Sequence, residues 1–137
     1  MTRKDLQELS RIRLREAKSL AQLGMNDGAY YLAGYCVECA LKACIAKLTQ
    51  RHEFPNKERT QQSYGHKFGE LLKAALLEQD HRKEAQRDPA FLRHWNVVQL
   101  WSPDRRYIIT NANATKELIE AVSDRNHGVL RWIKLHW

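Results

Sequence analysis

Glu38 is the side chain that most needs a chemical explanation. It stands in a run from Ala29 to Leu48 where Tyr30, Tyr31, Ala33, Tyr35, Val37, Ala40, Leu41, Cys44, Ile45 and Leu48 are apolar or aromatic. A helix apolar on nearly every side is buried, and a buried carboxylate costs several kcal/mol unless it is paired and hydrogen-bonded. Lys42 lies one helical turn away, and a further partner has to come from elsewhere in the chain. The same run holds Cys36, Cys39 and Cys44. A Cys-x-x-Cys can ligate zinc or cycle as a redox couple, but this one lies in mid-helix without a second ligand pair, so the cysteines read as small core residues. The six histidines show no His-x-x-x-His spacing, and no structural metal or cofactor is expected. No glycine-rich phosphate loop, nucleophile elbow or motif-spaced carboxylate cluster is present in the sequence.

The elements that must position Glu38 read as helices. Thr2 and Asp5 form a capping signal, followed by Leu6, Leu9, Ile12, Leu20 and Leu23 at helical spacing until Gly24. Asn26 and Asp27 offer a cap for the second helix, and so short a connection makes the two an antiparallel hairpin, the core of the fold. Residues 50–64 read as a polar loop of about fifteen residues, long enough to be functional. His66 leads into a third helix bearing Phe68, Leu71, Leu72, Ala75 and Leu76. Residues 79–86 are strongly polar, and Asp88-Pro89 caps a fourth helix with Phe91, Trp95, Val98 and Trp101. Ser102-Pro103-Asp104 breaks the chain before a last helix with Leu118, Ile119, Val122, Val129, Trp132 and Ile133. Tyr107-Ile108-Ile109 is β-like but too short to seed a sheet. The pattern predicts one all-α domain over residues 1–137, an up-and-down bundle of about five helices.

A chain of 137 residues can bury a core without staples. An odd number of clustered cysteines forms no disulfide framework and points to a reducing cytoplasm. No window suggests a signal peptide or a membrane span, so a soluble, cytoplasmic protein is expected. The net charge of +7 is uneven: residues 1–24 and 81–110 each carry six basic and three acidic side chains. Such basic segments suit a phosphate backbone or an acidic partner, although a solvated helix face is the commoner use.

Taken in order, Glu38-x-x-Leu41-Lys42, His66-x-Phe68-x-x-Leu71-Leu72, Trp101 and Arg106-Tyr107, with Ala17, Leu20, Tyr30 and Ala33, give a set that resembles the HEPN domain, the nucleotide-binding module of higher eukaryotes and prokaryotes. The resemblance covers nearly the whole chain, though each motif is short and degenerate. It implies a non-catalytic or weakly catalytic module that binds nucleotide or RNA, or docks to a partner such as a minimal nucleotidyltransferase in a toxin-antitoxin or defence pair. A dimer is expected too, since tryptophans such as Trp132 and Trp137 near the end of the sequence would otherwise meet water. The resemblance also suggests Arg106 as the partner of Glu38, through a forked guanidinium folded back on the hairpin. Glu38, Lys42, His66, Arg106 and Tyr107 are then either a ligand-binding groove or a polar cluster that fixes packing, which is the commoner use of buried pairs.

Many HEPN proteins look like metal-independent ribonucleases that place a His after an Arg with four to six residues between them, the His as general acid or base and the Arg stabilising the phosphorane charge. Arg59 and His66, Arg87 and His94, and Arg131 and His136 all meet that spacing, where roughly 1.7 matches arise by chance. Arg131 is followed by Trp132 rather than a polar residue, and Arg87 by Asp88, which weakens an anion site. Arg87 with His94 and Arg131 with His136 remain the catalytic candidates of the rival reading, a ribonuclease toxin. A third reading is a structural dimerisation module.

Overall fold

The first helix is set by its ends. The hydroxyl of Thr2 accepts the Asp5 N–H at 3.1 Å while the Asp5 carboxylate accepts the Thr2 N–H at 2.7 Å, a closed capping box that opens α1 (Arg3–Gln22). Gly24 takes a left-handed φ of 74°, which lets the Met25 N–H return to the Leu20 carbonyl at 2.9 Å and reverses the chain into α2 (Asn26–Leu48). The cap expected from Asn26 or Asp27 does not form: Met25 is the N-cap and makes no side-chain bond. The Asp27 carboxylate accepts the backbone N–H of Thr110 instead, satisfying a distant loop rather than its own helix.

The computed structural model describes residues 1–49 and 57–137. Its remaining helices are α3 (Lys57–Ser63), α4 (Phe68–Ala74), α5 (Glu78–Arg87), α6 (Pro89–Val98), α7 (Ala112–Ser123) and α8 (Val129–Lys134), with a 3₁₀ turn at Pro103–Tyr107. There is no strand among the described residues, and the protein is an all-α bundle. α2 is its axis, packed against α1, α4, α7, α8 and the 3₁₀ turn. Ala33, Cys36, Val37, Ala40 and Leu41 are fully buried there, each buried Val or Leu contributing about 1.5–3 kcal/mol. No described helix is long and apolar enough to cross a membrane.

Eight α-helices among the described residues replace the roughly five expected. Within the expected loop, positions 50–56 lie outside the described residues, and 57–63 coil into α3. The polar stretch 79–86 falls inside α5, which buries no residue fully but is built from strong helix formers and tied by Glu84 to Arg87. The expected last helix divides into α7 and α8 because Asp124–Gly128 makes a tight turn, with the Gly128 N–H on the Asp124 carbonyl at 3.0 Å. A Cβ on Gly128 would lie 2.4 Å from that carbonyl oxygen, so only glycine fits. Asp88-Pro89 behaves as the sequence says: the Asp88 carboxylate accepts the Ala90 N–H at 3.1 Å and proline holds the first turn of α6.

Trp132 does not face water. It is 2% exposed, its ring 5.3 Å from Phe91, so it gives no reason for a second copy. Trp137 is half-buried beneath the Arg11 guanidinium at 5.0 Å. His81 of α5 packs into the same aromatic cluster, with ring centroids 4.4 Å from Trp95 and 5.6 Å from both Phe91 and Trp132. Its Nε2 is buried without a hydrogen-bond partner, and burial lowers its pKa. Between its folded pKa and the ordinary value near 6.5 the unfolded chain therefore binds more protons, and stability falls as pH drops through that window. Urea midpoints measured on either side of it should fall with pH in the parent, and His81→Phe should remove the part of that fall due to this ring.

Candidate functional site

Tyr31, Tyr35, Glu38 and Lys42 recur at intervals of four, three and four residues, which sets them along one stripe of α2. The side chain of Glu38 is 4% exposed, and its partners are now identified. Lys42 Nζ donates to Oε1 at 2.9 Å, and His66 Nδ1 lies 3.0 Å from both carboxylate oxygens. A carboxylate only accepts, so Nδ1 carries the proton of that imidazole. His66 precedes α4, where the backbone at Lys67 is extended, and Phe68 behind it is anchored in the core. The motif thus works as a unit: Phe68 fixes the start of α4 and His66 closes over Glu38.

Arg106 does not pair with Glu38. The 3₁₀ turn is tied to the opposite end of α2 through Thr110 and Asp27, so Arg106 arrives about two turns short, roughly 10 Å along the axis. There its guanidinium lies over the Tyr107 ring at 4.8 Å, and Tyr107 and Tyr31 beside it raise its pKa. The Tyr35 ring meets that of Tyr31 edge-on at 5.0 Å, and Tyr31, with burial and the nearby Glu38 charge, pushes the Tyr35 pKa up to about 12. Arg106, Tyr31, Tyr35 and Glu38 therefore form a polar seam down one face of α2, joined through the tyrosines. Tyr107 itself is 76% exposed.

Beside this seam lies a groove of about 870 Å³. His66 and Lys67 border it from the start of α4, Gln61 and Gln62 from α3, Gln99 from the end of α6, and Arg106 from the 3₁₀ turn. Phe68 and Trp101 form its apolar floor, with rings stacked 2° from parallel and centroids 5.5 Å apart. Trp101 can sit there because it lies on Gly34 of α2: a Cβ at Gly34 would come within 2.1 Å of the indole. Glu70 and Asp104 also reach the rim, and Glu70 accepts from Gln62 at 3.2 Å. Cationic and amide donors around an apolar floor, in a groove of this volume, match the chemistry of a small-molecule site.

The paired Arg and His candidates do not meet as pairs. His94 Nδ1 donates to the His127 backbone carbonyl at 3.0 Å, with Asp124 3.7 Å away, and so braces the turn between α7 and α8. His136 packs its ring 5.0 Å from Trp132. Arg87 and Arg131 come together instead, both on Glu84: Arg87 Nε at 3.1 Å from Oε2 and Arg131 Nη2 at 3.7 Å from Oε1. His127, which the spacing did not select, is the histidine nearest to them in chemistry, with Nδ1 on Asp88 Oδ2 at 2.6 Å. The sequence signal was the Asp-Arg-Asn-His-Gly turn, but nothing local joins residue 127 to residue 88.

Burial pushes the thiols of Cys36 and Cys44 up to about 12, and that of Cys39 upward as well. The Ser10 hydroxyl donates to the Cys36 carbonyl at 2.8 Å, leaving the Cys36 thiol, 3.3 Å away, as donor to that hydroxyl. Among the described residues no group of three His, Cys, Asp or Glu side chains could hold a metal ion. Comparison of the chain with protein-family models, with curated proteins and with solved structures finds no match.

Proposed function

We propose that this chain is a HEPN-like helical module that binds a nucleotide, or a nucleotide within single-stranded RNA, in the groove beside the Glu38 and His66 pair, without cutting it. The observation that carries this reading is the convergence of His66, Lys67 and Arg106, from two separate segments, on one groove with an apolar aromatic floor. Cations suit the phosphate, and the three glutamine amides offer donors and acceptors to a base edge. Glu38, spent on Lys42 and His66, orients the imidazole and does not compete for the ligand. Binding without cleavage is favoured because His94 is committed to a backbone carbonyl and His136 to Trp132, so neither is poised as a general acid or base beside its arginine.

Fluorescence anisotropy with labelled mononucleotide and a short single-stranded oligoribonucleotide, in EDTA, tests the reading. Binding should weaken steeply as salt rises, and Arg106→Ala should reduce affinity by about tenfold or more while leaving the melting temperature in place. Unchanged affinity in Arg106→Ala would remove the groove as the binding site. Shortened RNA in the same tubes would instead establish the ribonuclease reading.

A further inference from the structure

A second polar depression, of about 630 Å³, lies at the other end of α6 from the groove and is lined by Arg87, Asp88, Arg125, Asn126, His127 and Arg131. Three guanidiniums reach it from three places: the last turn of α5, the turn between α7 and α8, and the first turn of α8. The carboxylates that touch them are already engaged. Glu84, whose side chain is 13% exposed, is held between Arg87 and Arg131. Asp88 is 9% exposed at its side chain and accepts from both His127 and the Ala90 N–H. Asp124 lies on the far side of the turn, where it accepts the Asn126 N–H at 3.3 Å and faces His94.

The donors are less well satisfied. The Nε–H of Arg131 is buried and meets no acceptor, and Arg125 makes no hydrogen bond or ion pair among the described residues. His127 spends Nδ1–H on Asp88, which leaves Nε2 on a half-exposed ring to accept the P–OH of a singly protonated phosphate, or to donate to its oxygen when the ring is an imidazolium. The turn that carries Arg125 and His127 is rigidly held, by Gly128 against the Asp124 carbonyl and by His94 on the His127 carbonyl. Glu84 and Asp88 thus act as posts that fix two arginines and a histidine, while the Nη1 groups of both arginines stay uncommitted among the described residues.

We propose that Arg87, Arg125, His127 and Arg131 form an oxyanion site for a phosphomonoester, independent of the groove. Planar guanidiniums from separate elements suit an oxyanion with three terminal oxygens, each able to accept from a different arginine. A diester offers two such oxygens and one charge, and uses this arrangement less fully. The ligand is either free phosphate or the terminal phosphate of a nucleotide, since both present the same group.

Inorganic phosphate titrated into labelled protein and followed by amide NMR provides the test. Shifts should concentrate at residues 124–131 and saturate with a Kd of about 1 mM or tighter. Arg125→Ala, which removes an exposed and unpartnered side chain, should weaken that binding by about tenfold with no change in melting temperature. Arg106→Ala should leave it intact, which keeps this site distinguishable from the groove. A 5′-phosphorylated dinucleotide that shifts the amides of residues 124–131 at lower concentration than phosphate, with its 5′-hydroxyl counterpart silent at those amides, would assign the site to a nucleotide terminus; equal affinity there would assign it to the free ion. Absence of shifts at those amides, or phosphate affinity unchanged in Arg125→Ala, would overturn the proposal.

Discussion

Gly34→Ala is expected to destabilise the protein by about 3 kcal/mol, a drop of roughly 10 °C in melting temperature. The added Cβ would stand 2.1–2.2 Å from three atoms of the Trp101 indole. That ring cannot simply swing away. Phe68 is stacked on it, Tyr35 meets it edge-on at 5.5 Å, and Tyr31 lies at 6.2 Å. Trp101 is 4% exposed, so displacing it either opens a cavity or pushes α6 and the 3₁₀ turn off α2. Differential scanning calorimetry measures the loss, and Gly34→Ala combined with Trp101→Leu should recover part of it because the smaller side chain makes room. A melting temperature unchanged by Gly34→Ala would mean that Trp101 does not lie on that helix face. Since Trp101 is part of the groove floor, ligand binding should weaken along with stability.

The second large effect concerns the Glu38 pair, and its sign depends on which partner is removed. Glu38→Gln leaves Lys42 and His66 with side chains 22% and 47% exposed, able to turn toward water, and should cost about 1 kcal/mol. Replacing Lys42 and His66 together by alanine does the reverse. It strands a carboxylate that is 4% exposed with neither donor, for which about 3–5 kcal/mol is expected. Adding Glu38→Gln to that double variant should restore much of the loss, a non-additivity that urea denaturation of the four proteins resolves. If the double variant were no less stable than Glu38→Gln, Glu38 would not be buried with its charge.

What could be read from the sequence was local. Thr2 with Asp5, Gly24, and Asp88-Pro89 act within a few residues, and each does what its chemistry dictates. The burial of α2 followed from its composition alone. α3 and α5 were missed because hydrophobic periodicity was the guide, while these two helices bury no residue fully and rest on propensity and ion pairs. The division of the last helix had a visible signal in Asp124–Gly128, overridden by apolar spacing that continues on either side. At the site, Lys42 was legible as a neighbour one turn away. Choosing His66 over Arg106 for Glu38 needed to know where the 3₁₀ turn docks, which depends on Thr110 meeting Asp27 across 83 positions. The meeting of Asp88 with His127 is of the same kind, set by packing of α5, α6 and α8 rather than by any spacing.

The sealed cysteines give the molecule two clocks of its own opening. Cys36 faces α1 through Ser10, while Cys44 lies against α8, its sulfur 3.8 Å from the Ile133 carbonyl. With both thiols protonated up to about 12, a thiol reagent at mildly alkaline pH reacts only with conformers in which the covering helix has lifted away. The labelling rate at Cys36 then reports how often α1 detaches, and that at Cys44 how often α8 does. Equal rates would mean that the bundle opens as one unit; a faster Cys44 would mark the edge carrying the arginine turn as the first to come loose.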